Sequence, residues 1–277
     1  MRDVYNIKKK FAEITQGSII TGCIADGYTG CDVHGCVITA RCDLAHSKID
    51  TVHYLPMVCF KDWLHKEMAS YIRAGYAKDL KSRLTTQLEH LGLEPGIIER
   101  RLLRHDIEKV IERNMSKPKE KKTFMENYDK WLAVQNLEMK QILSEKSGLK
   151  LLENEINRMV GHSHGNFYLI EGWKSASDDL RFMVILLRDV KHLTWDCASA
   201  LPNGILEEEK DEAFFMGNML AKTPDKRQMY YVDAEIKSPF IEHILQRFAN
   251  NFLRIGVDDL PKADVSTLYE QAKNILQ

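Results

Sequence analysis

Apolar residues near the front of the chain either alternate with polar ones or fill short continuous runs, and both patterns indicate β-strands. Turn residues separate the first two of these segments, most clearly at Asp26-Gly27-Tyr28-Thr29-Gly30. The pattern predicts three strands, at residues 18–24, 35–40 and 50–58. Short strands with glycine-rich links are typical of a small barrel rather than of a βαβ unit.

Between about residues 60 and 160 the apolar period lengthens to about three and a half residues, which indicates amphipathic helices. Leu80, Leu84 and Leu88 show this period, and Gly92 follows as a helix-ending residue. The pattern predicts helices at residues 63–72, 80–91, 97–115, 123–143 and 149–159, with a charged linker at 116–122.

Strand patterns return in the last third of the chain, with a turn at Asp178-Asp179 and a helix opening at Ser238-Pro239. In that opening we expect the serine to be the N-cap and the proline to lie in the first turn. Strands are predicted at residues 166–171, 181–187 and 229–236. Further helices are predicted at residues 2–15, 207–221, 239–253 and 266–276.

These elements predict an α+β fold in which a small β-barrel is assembled from both ends of the chain. A helical insertion separates the two β portions, and helices follow the second portion. The expected units are the first barrel half at 1–59, the insertion at 60–160, the second barrel half at 161–237 and C-terminal helices at 238–277.

The composition is that of an ordinary folded protein, with 277 residues, 44% of them hydrophobic and 29% charged. A net charge of -1 gives no overall attraction to nucleic acid, so any basic surface must be local. Residues 1–15 lack the apolar run of a signal peptide, and no segment reaches the roughly 20 apolar residues of a membrane span. We therefore expect a cytoplasmic protein that does not contact a membrane.

Six cysteines in a reducing compartment stay as free thiols, so they are core residues, metal ligands or a nucleophile. Cys23, Cys31, His34 and Cys36 lie close enough in sequence to supply the ligands of a zinc site. They lack the paired C-x2-C spacing of zinc ribbons, and strand alternation points neighbours to different faces. Packed or surface thiols are the simpler interpretation, and the sequence predicts no metal and no cofactor.

Arg41-Cys42-Asp43, at the end of the second predicted strand, is the most specific chemical feature. A cysteine at a strand end is partly exposed, and a neighbouring arginine stabilises its thiolate. A cysteine nucleophile needs a histidine within hydrogen-bond reach, and the candidates are His46, His53, His162 and His164. The alternative is that Cys42 packs and that Asp43 caps a turn.

The predicted site extends beyond this tripeptide. Cys42, Asp43 and His46 are the expected catalytic set, in which Asp43 acts as a base and Arg41 stabilises phosphate charge. The residues expected to contact a ligand are Thr39, Arg41, Lys48, Arg247 and Arg254. The two last arginines belong to a helix with a strong apolar side, where each pairs with a buried carboxylate or reaches a ligand.

Two other polar segments have simpler interpretations. Residues 161–165, Gly-His-Ser-His-Gly, form a plain loop, cap the preceding helix, or bind a metal or ligand. A basic stripe over residues 100–122 has the charge to follow phosphates, but acidic residues interleave with it. Mixed charges at helical spacing usually describe a solvated helix face.

The two ends of the chain resemble a loosely defined group of bacterial proteins. Gln16-Gly-Ser-Ile-Ile and Val37-Ile-Thr-Ala-Arg-Cys-Asp-Leu44 are similar to that group's QGDI … VITxxCDL pattern. Ser238-Pro-Phe-Ile-Glu-His-Ile-Leu-Gln-Arg-Phe-Ala and Phe252-Leu-Arg-Ile-Gly-Val257 are similar to its SPYxxxLxQRFAxxFxRxG ending. Members often lie near defence or mobile-element genes, so the resemblance implies a role in immunity.

More distantly, the front segment resembles the SH3-like barrel of the PemK/MazF ribonuclease toxins. Gly17-Ser18-Ile19, Val37-Ile38-Thr39 and Tyr54-Leu55-Pro56-Met57 follow the order of strands in those toxins. His34-Gly35-Cys36 stands where the toxins have an arginine–proline pair. The resemblance implies the barrel architecture and leaves ribonuclease activity as a hypothesis.

Two functions follow as hypotheses. In the first, a bacterial anti-phage defence or toxin-type protein recognises RNA, DNA or a nucleotide on its barrel face, with RNA cleavage as the enzymatic version. In the second, a non-catalytic subunit docks an ATPase or effector encoded nearby through its helical insertion, with residues 125–139 as the docking segment.

Overall fold

The computed structural model of the protein describes residues 5–7, 13–100, 103–174, 180–222 and 228–252. Its strands are β1 (Tyr5–Ile7), β2 (Ser18–Ile20), β3 (Val33–Val37), β4 (Thr51–Cys59), β5 (Phe167–Lys174), β6 (Leu180–Leu186), β7 (Lys191–Thr194), β8 (Ile205–Leu206), β9 (Met229–Tyr230) and β10 (Val232–Ile236).

The α-helices are α1 (Arg41–Ala45), α2 (Phe60–Trp63), α3 (Ala69–His90), α4 (Gly96–Glu99), α5 (Arg104–Asn114), α6 (Pro118–Ala133), α7 (Met139–Leu143), α8 (Lys146–Val160), α9 (Trp195–Ala200), α10 (Glu212–Gly217) and α11 (Phe240–Ala249). A π-helical turn, Leu64–Met68, joins α2 to α3. Among the described helices, none has both the length and the apolar character that crossing a membrane requires.

Eight strands form one antiparallel sheet in the order β1-β10-β2-β3-β4-β6-β5, with β7 paired to the first half of β4. Because β10 lies between β1 and β2, both ends of the described chain contribute to the same sheet. The sheet curls into a half-barrel. The predicted α+β fold class is therefore confirmed.

Both faces of the sheet are buried, and β4 shows how the sequence achieves this. Val52, Tyr54 and Val58 point into one core, whereas Leu55 and Met57 point into the other, because successive side chains alternate between the faces of a strand. The first half of α3 covers the first core, and α11 covers the second.

The helices between β4 and β5 extend away from the sheet along α3. The far half of α3 builds a separate core with α4, α5 and α6, in which Leu84, Leu88, Ile107 and Phe124 are fully buried. Gly75 lets α8 approach α3 closely, because a Cβ atom there would lie 3.0 Å from a methyl group of Leu151.

Several predicted elements differ from the structure. Residues 5–7 form a strand paired with β10, where a helix over residues 2–15 was expected. The helices expected at 63–72 and 80–91 belong to one continuous helical run, because α3 extends without a break from residue 69 to residue 90 and the π-helical turn joins it to α2. The expected linker at 116–122 is partly helical, since Pro118 opens α6 as a first-turn proline.

The last third of the chain also contains corrections. The helix expected at 207–221 contracts to a 3-10 turn, Glu207–Glu209, and α10. Ser238 does not cap α11, since Pro239 occupies the N-cap position and no side chain caps the helix. The turn expected at 178–179 and the helix expected at 266–276 lie outside the described residues.

Candidate functional site

The segment with Arg41, Cys42 and Asp43 forms the first turn of α1, and it does not end a strand as expected. β3 stops at Val37, and the carbonyl oxygen of Ala40 accepts hydrogen bonds from the backbone of Asp43 and Leu44, both at 3.2 Å. Buried Leu44 fixes the helix to the core. The exposed side of α1 and the turn after it carry Arg41, Cys42, Asp43, His46 and Lys48.

No histidine hydrogen-bonds the Cys42 thiol within the described part of the chain. Cys42 Sγ lies 3.6 Å from Asp43 Oδ1, and His46 reaches Cys42 only through its backbone N–H. Thr39 is half-buried, and its hydroxyl oxygen accepts a 2.7 Å hydrogen bond from the backbone of His53. One surface therefore carries Arg41, Cys42, Asp43, His46 and Lys48, but the cysteine–histidine pair that nucleophilic catalysis needs is not assembled among the described residues.

A groove of about 740 Å³ runs between α1 and α9. Its wall contains a cationic side chain from Arg41, a hydroxyl group from Ser47 and an aromatic ring from Trp195. The guanidinium of Arg41 lies 3.8 Å from the Glu242 carboxylate, and both side chains are about half exposed. Such an exposed pair contributes little stability, so Arg41 is available to a ligand. The described residues on the wall are Glu13, Ile14, Thr15, Arg41, Leu44, Ala45, Ser47, Trp195, Ser199, Pro202 and Asn203.

Trp195 is held by a network that the sequence does not signal as functional. Its backbone N–H donates to the carbonyl of Asp50 at 2.9 Å. Thr194 caps α9, and both its N–H and its hydroxyl donate to the side-chain oxygen of buried Asn218, at 2.8 and 2.9 Å. Thr194 followed by a helix is a recognisable N-cap signal, but nothing in the sequence connects it with α1.

The loop at residues 161–165 is anchored by His164, which is almost fully buried. Its Nδ1 accepts a 3.4 Å hydrogen bond from the backbone of Asn166, and its Nε2 faces Glu155 at 3.5 Å. Burial, reinforced by Arg158 and other nearby guanidinium groups against the attraction of Glu155, lowers the pKa of His164 to about 4. His164 is thus a neutral, structural histidine at ordinary pH.

Arg247 lies beside this loop, with its Nη2 3.3 Å from the His164 carbonyl oxygen. Arg247 pairs with no carboxylate in the described part of the chain, and it is not among the described lining residues of the α1–α9 groove. Arg254, the other arginine expected to bind a ligand on this part of the chain, lies outside the described residues.

The four side chains considered for zinc do not converge. Cys23 and Cys31 contact the first core, whereas Cys36 points into the second. Burial raises the pKa of Cys36 to about 12, so its thiol stays protonated. Across residues 13–100 and the other described segments, no three histidine, cysteine or acidic side chains are grouped as a metal site requires.

No family model, no curated protein and no solved structure matches this chain.

Proposed function

We propose that the protein recognises a nucleotide or a single strand of nucleic acid in the groove between α1 and α9. The observation that carries this proposal is that Arg41 and Trp195 line the same groove. An aromatic ring stacks on any base, and a guanidinium forms charge-assisted hydrogen bonds to phosphate. A volume of about 740 Å³ lies within the range of small-ligand sites.

The charges that line the groove favour contact with a single phosphate group of the backbone. Arg41 is the one cationic side chain among its described lining residues, and Glu13 is anionic. A single phosphate contact on a single strand gives a salt dependence of roughly -0.7 in log K against log salt. Affinity in this groove therefore comes mainly from stacking and shape.

The proposal places the protein among bacterial anti-phage defence or toxin-type proteins with an SH3-like barrel. The similarity of residues 16–20, 37–44 and 238–257 to proteins encoded near defence genes supports the first part. The curled antiparallel sheet supports the SH3-like barrel of the proposal. Cys42 and Asp43 on α1 and His46 in the turn after it are exposed, so a substrate could reach them in the enzymatic version, in which these three groups cleave RNA.

Fluorescence titration with AMP and with short single-stranded RNA and DNA tests recognition. Arg41→Ala is expected to weaken binding about tenfold, since hydrogen bonds to charged groups contribute about 1.5–3 kcal/mol. Trp195→Leu is expected to remove the quenching that stacking produces. Arg113→Ala, which removes an exposed arginine far from the groove, is the matched control. Equal affinity of the Arg41 variant and the control contradicts the proposal.

Alanine replacements of Cys42 and Asp43, made separately and checked for stability, test the enzymatic version. Loss of RNA cleavage in either variant supports it. Full cleavage in both variants removes α1 from the chemistry and leaves it as a recognition element only.

A second candidate function is a non-catalytic subunit that docks an ATPase or effector. Within residues 125–139, Met125 and Tyr128 are buried, whereas Leu132 is exposed. The observation that favours docking is on α8, where Leu149, Ile156 and Val160 are exposed at helical spacing. Co-purification from the native host with mass measurement tests this function, and a monomer without a companion contradicts it.

A further inference from the structure

Three aromatic side chains from three different elements meet on the other side of the sheet. His162, just after α8, stacks on Tyr168 of β5 with ring centroids 4.2 Å apart and an interplanar angle of 15°. His243 of α11 stands perpendicular to His162, with centroids 5.5 Å apart. The fold thus brings together the imidazoles of two histidines that are 81 positions apart in the sequence.

Tyr168 orients one of these imidazoles. The phenol is buried on β5, and its hydroxyl forms a 3.1 Å hydrogen bond with Nδ1 of His243. Nε2 of His243 makes no hydrogen bond with any described residue. A histidine whose Nδ1 is fixed and whose Nε2 is open is arranged for proton transfer at Nε2.

The backbone at His162 is unusual. Its φ angle is 50°, in the left-handed region that residues other than glycine rarely adopt. Backbone strain of this kind costs about 1–3 kcal/mol and is concentrated at functional sites. The loop therefore holds the His162 ring against Tyr168 at an energetic cost.

Two hydrogen-bond donors follow His243 along α11 and the turn after it. Nε of Arg247 and Nδ2 of Asn251 are buried, and neither has a partner among the described residues. Arg158 and Arg188 pair with Glu155 and Glu67, whereas the Arg247 guanidinium has no carboxylate partner in the described chain.

Buried donors without acceptors are rare in folded proteins, and a bound acceptor would satisfy these two. Because both donors are nitrogens and one carries a positive charge, the group that fits them is an oxyanion rather than a metal cation. The low pKa of nearby His164, to which Arg247 contributes, is consistent with a positive potential at this place.

We propose that His162 and His243 form an acid–base pair that cleaves the phosphodiester bonds of RNA, with Arg247 and Asn251 holding the phosphate. RNA is the phosphodiester that carries its own nucleophile, the 2′-hydroxyl group, so two proton carriers and a phosphate-binding pair provide the required groups. The choice of substrate rests on the proposed recognition of nucleic acid. The histidine pair itself is separate from the α1–α9 groove.

In this reaction one imidazole removes the proton of the 2′-hydroxyl, and O2′ attacks the phosphorus atom. The bond from phosphorus to O5′ breaks, and the other imidazolium donates its proton to the leaving oxygen. The products are a 2′,3′-cyclic phosphate and a 5′-hydroxyl group. Each proton taken up is matched by one released, and no other reactant is consumed.

The experiment uses the full chain and a DNA oligonucleotide that contains one ribonucleotide between a fluorophore and a quencher. The wild-type protein is expected to cleave it and to leave an all-DNA version intact, with the cyclic phosphate identified by mass spectrometry. His162→Asn and His243→Asn are expected to lower the rate at least about 100-fold. Asparagine tolerates a positive φ at position 162 and keeps an acceptor near the Tyr168 hydroxyl at position 243.

His90→Asn, which changes an exposed histidine on α3, is the control and is expected to leave the rate unchanged. Tyr168→Phe is expected to move one limb of a bell-shaped pH–rate profile, because Tyr168 positions His243 without contacting substrate. A merely structural role for Tyr168 would change the rate at all pH values alike.

Binding of the all-DNA oligonucleotide separates failure of this inference from failure of the proposed function. Binding that depends on Arg41, without cleavage of the ribonucleotide substrate, overturns the inference and leaves recognition intact. Cleavage that persists in both histidine variants but is lost in Cys42→Ala places the chemistry at α1 and also overturns it. Cleavage that is lost in the folded His162 and His243 variants and kept in His90→Asn supports it.

Discussion

Protonation of His164 is expected to make stability fall steeply as the pH is lowered. Because burial lowers its pKa to about 4, the folded protein keeps His164 neutral while the unfolded chain binds a proton near pH 6.5. Its contribution to stability is therefore complete above pH 6.5 and is lost as the pH falls towards 4. Between pH 7.5 and pH 4.5 this loss amounts to about 2.5 kcal/mol.

Urea unfolding of the wild type and of His164→Gln at the two pH values measures the effect. The variant lacks a group that titrates here, so its fall in stability should be smaller by about 2.5 kcal/mol, which is about 1 M in the urea midpoint. Carboxylates titrate equally in both proteins and cancel in the comparison. His90→Gln, at an exposed site, should behave as the wild type does.

An NMR titration of the histidine ring protons provides a second reading that needs no variant. The signals of His164 should not move between pH 7.5 and pH 5.5, because burial keeps this imidazole neutral in that range. A His164 signal that titrates near pH 6.5, or an equal pH dependence in His164→Gln and the wild type, refutes the reasoning from burial.

Three further changes test the packing that supports the sites. Asp189→Asn should lower the unfolding free energy by about 2 kcal/mol, because buried Lys191 then keeps a charged partner only in Asp26. The matched change Asp26→Asn should cost less than about 1 kcal/mol, because the side chain of Asp26 is 83% exposed. Asn218→Ala leaves two donors of Thr194 unpaired, so it should lower stability by about 2 kcal/mol and weaken ligand binding in the α1–α9 groove. Gly35→Ala places a Cβ atom 2.6 Å from Cys23 Sγ and 2.7 Å from Tyr54, so its thermal unfolding midpoint should fall by a few degrees.

The sequence predicts best those elements whose apolar pattern is long and regular. The strand expected at residues 50–58 is found as β4, one residue later, because most of its side chains on both faces are buried. The helix expected at 149–159 is found within α8, where Leu151 and Leu152 pack against the first core. Boundaries are less accurate because local packing shifts them by a few residues.

Short elements were wrong where a distant partner decides the structure. Residues 5–7 pair with β10, more than 220 residues further along the chain, and no local pattern records that pairing. α1 has five residues and no side-chain cap, too few for a helical period to show.

The predicted and observed candidate sites differ because residues that are distant in the sequence lie close together in the structure. Arg41, Cys42 and Asp43 are exposed, where the sequence left open whether Cys42 packs. Trp195 joins Arg41 from the other half of the chain, which no local pattern indicates. His162 was considered as a base for Cys42, whereas the structure puts it beside His243. Interactions over such sequence distances follow from topology, which a single sequence does not encode locally.

The position of β10 between β1 and β2 has a consequence for how the protein emerges during synthesis. Until residues 232–236 leave the ribosome, β2 lacks one neighbour and exposes a row of backbone hydrogen-bonding groups. The helices around the far half of α3 have a core of their own, and its described residues all lie between positions 84 and 131. We therefore expect these helices to fold first and the sheet to close last, with the nascent chain most vulnerable to misassembly in the interval.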